Sequence, residues 1–486
     1  MNPLQQELQR AILTEQHDLR NLVVQDFWRQ AFHEMPPTGW LNDPNGLCQF
    51  NGVYHLYYQF SPIDVAGGLK YWGHKTSKDL VYFQDEEVFL YPDQPFDLHG
   101  VYSGSAFIKD NELHFFYTGN VKLEGDYDYI NSGREQNTIH VVSKDGFTIT
   151  SRKQVLGMAD YPPGFSQHIR DPKIVQYKDS FYMILGARTR SDQGDLLVYS
   201  STDLSEWNYQ GTLLESNPSL GYMWECPDLF TLNGQDILII SPQGMEAEVD
   251  KYQNVYQSGY FLGEMDWQWC RFKQSGHFQE LDYGFDFYAP QTFEDEQGRR
   301  MMIAWMGLPD IEPNYSNPTV AFGWQHTMTL PRELVFLNGK LYQKPLPAYQ
   351  QLRRELITRH LTVNGECNDQ QLFGEVYELS INIEQLTSFF AVHLREDTEI
   401  SFHATNGQLC LSHGESGYGR TLRRLALEQL DSLTIFSDRS SLEVFINEGE
   451  YVLTSRFYPK PGKDRISFSG EASINICKWD LIKADN

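Results

Sequence analysis

Residues 51–58 read Asn51-Gly52-Val53-Tyr54-His55-Leu56-Tyr57-Tyr58. Asn-Gly is a strong signal for a two-residue turn between antiparallel strands, because both residues tolerate the positive φ angles that such a turn requires. The residues that follow are mostly aromatic or branched, and side chains of this kind favour extended strands. The stretch therefore predicts a β-hairpin whose second strand begins at Val53.

The pattern of a two-residue turn followed by an apolar, aromatic strand recurs four more times. The further turns are Asp110-Asn111, Lys178-Asp179, Asn233-Gly234 and Gln297-Gly298. The intervals between the five turns are similar, and each is long enough for about four short strands. Repeated four-stranded units favour radial closure, so we predict that residues 33–340 form a five-bladed β-propeller. A β-sandwich of the same length is the alternative, but it does not require the five turns to be so similarly placed.

The sequence on either side of the repeats predicts three further segments. Residues 1–32 place apolar side chains at helical spacing and predict a short helical N-terminal segment of one or two helices, with a break at His17-Asp18. Residues 341–361 combine a Pro-rich stretch with a helical pattern from Tyr349 to Leu356, and we interpret them as a linker. Residues 362–486 return to short alternating strands and predict a C-terminal β-sandwich. The expected fold class is therefore all-β.

The charge balance excludes two classes of partner. The 39 Lys and Arg residues against 65 Asp and Glu residues give a net charge of -26, which repels nucleic-acid phosphates and anionic lipids. No apolar run has the length of a signal-peptide core or of a membrane span. We therefore expect neither nucleic-acid nor membrane partners.

The cysteines indicate the compartment. There are six, far apart in the chain and without a Cys-x-x-Cys pair, so neither a zinc site nor a disulfide framework is indicated. We expect reduced thiols, a cytoplasmic location, and no metal or other cofactor.

Three acids occupy equivalent places in the repeats. They are Asp43 in Asn42-Asp43-Pro44-Asn45, Asp171 in Arg170-Asp171-Pro172-Lys173 and Glu225 in Glu225-Cys226-Pro227-Asp228. Each segment precedes a predicted turn by seven or eight residues and has a proline that holds its backbone. The innermost strands of a propeller line one central funnel, so we expect the three acids to converge in one pocket.

Converging carboxylates are the chemical groups that glycoside hydrolysis needs. We assign Asp43 as nucleophile, because its hydrogen-bonding neighbours should keep it ionised. Glu225 has apolar neighbours that should raise its pKa, so we assign it as the acid and then the base. Asp171 should be kept ionised by Arg170 and accept hydrogen bonds from sugar hydroxyls.

These three motifs, in this order on five repeats followed by a β-sandwich, resemble glycoside hydrolase family 32, the invertases and sucrose-6-phosphate hydrolases. Tyr102-Ser103-Gly104-Ser105 and Tyr288-Ala289-Pro290-Gln291 also resemble family motifs. The resemblance implies hydrolysis of a terminal, non-reducing β-D-fructofuranoside with retention, through a fructosyl-enzyme on Asp43. The implied substrate is a small sugar, namely sucrose, sucrose 6-phosphate or a short fructo-oligosaccharide. The implied sugar contacts are Trp40, Leu41, Asn42, Gln59, Tyr102, Ser103, Arg170 and Trp305.

The chain departs from the family pattern in one loop. The family commonly has a tryptophan where this sequence has Gly67, so we expect Leu69 or Tyr71 to build the wall of that subsite. Three alternatives stay open at this point. They are a fructan hydrolase acting on inulin or levan, an inverting five-bladed arabinan or xylan hydrolase, and a non-catalytic sugar-binding propeller.

Overall fold

The computed structural model describes residues 2–215, 217–311 and 314–482. Residues 1, 216, 312–313 and 483–486, on which parts of the predicted segments fall, lie outside the described residues. The described chain contains 31 strands and one α-helix, α1 (Pro3–Gln25). Short 3-10 helices span Pro218–Leu220, Pro318–Phe322, Pro347–Leu352, Gln370–Leu372, Glu415–Gly417 and Asn447–Gly449.

The first 22 strands form five blades of mainly antiparallel strands, so the predicted five-bladed propeller is confirmed. Blade 1 contains β1 (Gly39–Phe50), β2 (Val53–Ser61), β3 (Tyr71–Ser77) and β4 (Phe83–Asp85). Blade 2 contains β5 (Val101–Lys109), β6 (Glu112–Lys122), β7 (Arg134–Ser143) and β8 (Ile149–Leu156). Blade 3 contains β9 (Phe165–Tyr177), β10 (Ser180–Thr189), β11 (Gly194–Ser201) and β12 (Asn208–Thr212). Blade 4 contains β13 (Met223–Leu232), β14 (Gln235–Gln243), β15 (Gly259–Asp266) and β16 (Arg271–Glu280). Blade 5 contains β17 (Tyr288–Glu294), β18 (Arg300–Met306), β20 (Thr327–Met328), β21 (Arg332–Leu337) and β22 (Lys340–Pro345), and β19 (Trp324–Gln325) lies between β18 and β20 in the chain.

The ring closes through its innermost strands. The first strand of each blade contacts the first strand of the next, in the order β1, β5, β9, β13, β17 and back to β1. In addition, β19 pairs in parallel with β1, with Gly39 opposite Trp324. The last part of the propeller is therefore hydrogen-bonded to the first blade.

The five predicted turns each join the first two strands of a blade. In the first of them, Asn51 and Gly52 have φ angles of 51° and 76°. Two successive residues with positive φ give the turn whose twist matches that of the flanking strands. The Asn-Gly sequence thus explains the local geometry.

The C-terminal strands form a β-sandwich. They are β23 (Arg353–Asn368), β24 (Tyr377–Leu394), β25 (Thr398–His403), β26 (Gln408–His413), β27 (Leu422–Ala426), β28 (Ser432–Ser437), β29 (Ser441–Ile446), β30 (Tyr451–Arg456) and β31 (Ile466–Leu481). The long β24 pairs with β28 through residues 377–382 and with β25 through residues 389–394, so it belongs to both halves. Between the halves lies an apolar core of fully buried residues such as Leu379, Val444 and Ile474.

Two predictions about helices were wrong. The N-terminal segment is one continuous helix without a break at His17-Asp18, because those two residues lie on its exposed face while Ile12, Gln16 and Val23 continue its buried stripe. The helical pattern from Tyr349 to Leu356 is instead a 3-10 turn followed by β23, whose Arg353 pairs with Leu481 of β31. Long-range strand pairing outweighs the weak local helix preference there. The interval 341–361, interpreted as a linker, contains the end of β22 and the start of β23.

In the part of the chain that the structure describes, no helix combines the length and the apolar character needed to cross a membrane.

Candidate active site

The innermost strand of every blade has a bulge at the same place. In β1, residues 41–44 lie opposite residues 58–60 of β2, so β1 carries one extra residue there. The same one-residue irregularity occurs in β5, β9, β13 and β17. Proline cannot donate a ladder hydrogen bond, and it directly follows Asp43 and Asp171 and lies two residues after Glu225. The bulges therefore turn the segments that contain Asp43, Asp171 and Glu225 out of the regular ladder.

The backbone at three of these bulges is in the left-handed region. Asp171 has a φ of 63°, Cys226 a φ of 49° and Ala289 a φ of 48°. Non-glycine residues adopt this conformation rarely, and such strain concentrates at functional sites.

The structure brings the three predicted acids together around the thiol of Cys226. Its Sγ atom lies 3.8 Å from Oδ2 of Asp43 and 3.7 Å from Oδ2 of Asp171. Its backbone N–H donates to Asp171 Oδ2 at 3.0 Å. Glu225 precedes Cys226 in the chain, so carboxylates from three blades meet in one place.

Asp43 is fixed through both carboxylate oxygens. Ser103 Oγ donates to Oδ2 at 2.5 Å, and Asn42 Nδ2 donates to Oδ1 at 3.0 Å. Asn42 is itself held by Trp40, whose Nε1 donates to its Oδ1 at 2.7 Å. Burial raises the pKa of Asp43, although the bonds from Ser103 and Asn42 lower it. The expected hydrogen-bonding neighbours are present, but in the free enzyme they do not outweigh burial.

Glu225 does not lie in the apolar setting that we expected. Its Oε1 accepts from Arg170 Nε at 2.9 Å and Nη2 at 2.6 Å. Its Oε2 accepts from Gln243 Nε2 at 2.7 Å and from the Tyr288 hydroxyl at 2.6 Å. The preceding Trp224 is completely buried and turned away, because successive residues of a strand point to opposite faces.

The expectation that Arg170 keeps Asp171 ionised was also wrong. The nearest approach of the Arg170 Nε to an Asp171 oxygen is 4.0 Å, compared with 2.6 Å from Nη2 to Glu225. Burial raises the pKa of Asp171 against the opposing charge of Arg170, and the charges of Glu225 and Asp43 add to the rise. The three carboxylates repel one another, and this repulsion and burial favour a proton on Asp171.

The predicted sugar contacts lie around these acids, with one exception. The rings of Trp40 and Trp305 are 5.9 Å apart, Tyr102 precedes Ser103 on β5, and the buried Gln59 donates to the Val101 carbonyl at 2.9 Å. Leu41 has no exposed surface and packs in the core beneath blade 1. Its side chain cannot contact a sugar, because it points to the opposite face of β1 from Trp40 and Asn42.

Lys70 is a pocket residue that the sequence reasoning missed. Its Nζ lies 4.8 Å from the centre of the Trp40 ring and 3.1 Å from Ser61 Oγ. Burial lowers the pKa of Lys70 to about 7, against the charges of Asp43 and Asp64. The only signal in the sequence was its position in the loop that departs from the family pattern.

The same loop corrects the expectation about the subsite wall. A Cβ atom on Gly67 would fall 2.9 Å from the Trp40 ring and 3.0 Å from Lys70 Nζ. The missing side chain at Gly67 is thus what allows the loop to pack on Trp40. Tyr71 packs against Tyr91 instead, with ring centres 5.7 Å apart, and Lys70 is the residue of this loop that lies over Trp40.

His326 is a second residue that was missed. It is buried between Trp40 and Trp305, with ring centres 4.2 Å and 5.0 Å away. Neither of its ring nitrogens has a hydrogen-bond partner in the described part of the chain. Burial lowers its pKa well below the usual range, so it is a neutral imidazole in the wall behind the two tryptophans.

Within the described ranges, no three His, Cys, Asp or Glu side chains are grouped so that they could hold a metal ion.

Comparison with known proteins gives a consistent result over the whole chain. The model of the glycosyl hydrolases family 32 N-terminal domain matches residues 33–345, and the model of the family 32 C terminal matches residues 348–480. A sucrose-6-phosphate hydrolase of Bacillus subtilis (strain 168) is 40% identical over 98% of this chain and 99% of its own length.

Solved structures agree with this comparison. The sucrose-6-phosphate hydrolase from Lactobacillus gasseri superposes with a TM-score of 0.87 at 30% identity, covering 96% of each chain. A mutant of a Bombyx mori GH32 beta-fructofuranosidase in complex with sucrose superposes with a TM-score of 0.82 at 31% identity, covering 99% of each chain.

Proposed function

The chain belongs to glycosyl hydrolase family 32, and from this premise we infer that it is a β-fructofuranosidase. It releases the terminal, non-reducing β-D-fructofuranosyl unit of sucrose or sucrose 6-phosphate with retention of configuration. The observation that carries this proposal is the meeting of Asp43, Asp171 and Glu225 around Cys226. Relatives named as sucrose-6-phosphate hydrolases, and the sucrose complex of a Bombyx mori relative, support the substrate class.

In the first step, an oxygen of Asp43 attacks the anomeric carbon of the fructosyl unit. The bonds from Ser103 and Asn42 aim this carboxylate, which lowers the entropy cost of reaching the reactive geometry. Glu225 gives its proton to the glycosidic oxygen, so the glucose unit leaves as an alcohol. The fructosyl unit remains attached to Asp43 as an ester.

In the second step, Glu225 acts as the base. It removes a proton from water, and the oxygen of that water attacks the anomeric carbon and displaces Asp43. Two displacements on one carbon restore the original configuration. Arg170 and Tyr288 hold Glu225 between the two steps.

Asp171 is assigned to the fructosyl unit rather than to proton transfer. Its carboxylate is anchored by the Cys226 backbone N–H and accepts hydrogen bonds from sugar hydroxyls as positive charge grows on the ring. Trp40, Asn42 and Tyr102 are assigned as further sugar contacts from their places around the acids.

The test follows the anomer of released fructose by NMR during the first minutes of sucrose hydrolysis. The proposal expects the β-anomer as the initial product. An initial α-anomer would show inversion and favour the arabinan or xylan hydrolase class. A reducing-sugar assay with sucrose, sucrose 6-phosphate, inulin and levan gives the substrate range, and no release from any of them would leave only a binding function.

A further inference from the structure

Two cations face each other at the end of blade 2 without a carboxylate partner. Lys122, the last residue of β6, lies directly opposite Arg134, the first residue of β7. Like charges that face each other across two strands repel and destabilise the pair. In a chain with a net charge of -26, neither residue forms an ion pair with any carboxylate of the described chain. This arrangement has a cost, and folding alone does not account for it.

The pair lies close to the acid and base of the proposed reaction. Gln136 is two residues after Arg134 on β7, so the two side chains leave the same face of the strand. Gln136 accepts from Arg170 Nη1 at 3.3 Å, and Arg170 holds Glu225. Arg134 therefore lies on the Glu225 side of the pocket. It is on the same face of β7 as Gln136, two residues nearer to the start of the strand.

His168 lies beside the same arginines. Its Nδ1 accepts from Arg170 Nη1 at 2.6 Å, and its Nε2–H donates to the Tyr129 carbonyl at 3.0 Å. Burial and the charges of Arg170 and Arg134 lower the pKa of His168 to about 2. The imidazole is thus neutral and occupied by two hydrogen bonds, so it neither adds to nor cancels the charge of the pair.

The guanidinium of Arg134 has a donor that no protein group uses. Its Nη1 donates to Asn120 Oδ1 at 3.3 Å, but its Nε is buried and has no hydrogen-bond partner among the described residues. A buried donor without an acceptor is costly, above all in a charged group. The Lys122 ammonium lies 5.7 Å from the centre of the Tyr129 ring, which does not neutralise it.

Asp128, in the loop that joins β6 to β7, does not supply the missing partner. It accepts from the backbone N–H groups of Ile130, Asn131 and Ser132. These bonds lower the pKa of Asp128 to about 2 and direct its charge into its own loop. Asp128 therefore neutralises neither cation.

We propose that Arg134 and Lys122 form a subsite for the phosphate of sucrose 6-phosphate. Glu225 protonates the leaving oxygen, so the glucose unit lies on its side of the pocket, and a phosphate on that unit extends away from the reacting bond. A phosphate dianion between the two cations removes their repulsion and supplies the acceptor that Arg134 lacks. This inference rests on the proposed function, which it refines by assigning the phosphorylated substrate.

The first experiment compares kcat/KM on sucrose 6-phosphate and on sucrose for each enzyme. The wild type is expected to prefer sucrose 6-phosphate, and Arg134→Gln is expected to reduce that preference by about 10- to 100-fold, the size of a lost charge-assisted contact. Lys122→Gln is expected to reduce it by a smaller factor, and Arg134→Lys to restore part of it. Lys153→Gln is the control, because it removes an exposed positive charge from β8 of the same blade.

The second experiment measures binding without catalysis, by titration calorimetry with glucose 6-phosphate, glucose and inorganic phosphate. Glucose 6-phosphate is expected to bind the wild type more tightly than either other probe, and to lose that advantage in Arg134→Gln. Inorganic phosphate that binds as tightly as glucose 6-phosphate would place the anion outside the leaving-group position and overturn the proposal.

The two experiments separate this inference from the proposed function. If Arg134→Gln and Lys122→Gln both keep the wild-type preference for sucrose 6-phosphate over sucrose, the phosphate subsite is rejected. This holds even if the rates on the two substrates fall together. The proposed hydrolysis of sucrose is not affected by that result. A wild type that hydrolyses neither substrate would instead contradict the proposed function. The calorimetric comparison of glucose 6-phosphate binding to the wild type and to Arg134→Gln would then still test the phosphate subsite.

Discussion

Arg170 directs two N–H groups at one oxygen of Glu225, with Nε at 2.9 Å and Nη2 at 2.6 Å from Oε1. The two residues lie on the first strands of neighbouring blades, β9 and β13. A guanidinium favours the carboxylate over the neutral acid. Arg170 therefore stabilises the negative charge that Glu225 carries after its proton has moved to the leaving oxygen. This charge is present at the end of the first chemical step.

Replacing Arg170 by lysine tests this contact with Glu225, since lysine keeps the charge but loses the two-donor geometry. We expect kcat/KM on sucrose to fall by about 100-fold in Arg170→Lys, as for other preorganised contacts. Arg170→Gln loses the positive charge as well and should lower kcat/KM further. Arg190→Lys, an exposed arginine of the same blade, is the control. A kcat/KM in Arg170→Lys equal to that of the wild type would contradict this assignment.

Asp43→Ala and Glu225→Ala should each lower turnover on sucrose by about 10⁴-fold or more without unfolding the protein. The roles of Asp43 and Glu225 can be distinguished on a substrate whose leaving group needs no protonation. On an activated aryl β-fructofuranoside, Glu225→Ala should recover much of the first step, whereas Asp43→Ala should not. Asp179→Ala changes an exposed acid in a turn of blade 3 and should behave like wild type. Equal recovery in both active-site variants would reject the division of roles.

Much of this architecture follows from local sequence, and the rest does not for physical reasons. Asn51-Gly52 determines its hairpin because the turn conformation depends on those two residues alone. The surroundings of Glu225 could not be predicted in the same way, because its four hydrogen bonds come from Arg170, Gln243 and Tyr288, two of them on other blades. Sequence neighbours such as Trp224 say little about a strand residue's surroundings, since adjacent side chains point to opposite faces.

Ser103 gives a pH-dependent test of the nucleophile. Its hydroxyl donates to Asp43 and lowers the pKa of that carboxyl against the larger effect of burial, so Ser103→Ala should raise the pKa further. Asp43 must be ionised to attack, and the acid limb of the kcat/KM profile should therefore move to higher pH, with a loss of about tenfold at neutral pH. Ser105→Ala removes a hydroxyl from the same strand that bonds to the Pro172 carbonyl instead. A shift of equal size in both variants would contradict the specific role of Ser103.

Asp286 joins the propeller to the β-sandwich through a completely buried ion cluster. It pairs with Arg420 at 2.7 Å and with Arg456 at 2.9 Å. Asp286→Asn leaves two buried guanidinium groups without their counter-ion and should lower the free energy of unfolding by about 3–5 kcal/mol in urea denaturation at pH 7. Asp179→Asn is the control.

The same cluster predicts acid sensitivity. Against burial, the two arginines hold the pKa of Asp286 below its ordinary value of 3.8. A lowered native pKa contributes stability that is present above the unfolded pKa and is lost as the pH falls through the native one. The stability difference between wild type and Asp286→Asn should therefore shrink in acid. A stability difference between wild type and Asp286→Asn that stays constant down to the pH of acid unfolding would contradict this prediction.

The contribution of His33 to stability should depend on pH in the opposite sense, and at higher pH. Its ring lies between two buried carboxylates, with Nδ1 at 3.0 Å from Asp438 and Nε2 at 3.1 Å from Glu443. Although burial lowers its pKa, these two partners raise the pKa from 6.5 to about 9. A raised native pKa contributes stability that is complete below about pH 6.5 and is lost as the pH rises to about 9, by at most about 1.4 kcal/mol per pH unit. His33→Gln should remove this slope, whereas the exposed His403→Gln should keep it. Parallel stability curves for wild type and His33→Gln between pH 6.5 and 9 would show that His33 is not protonated in the native protein.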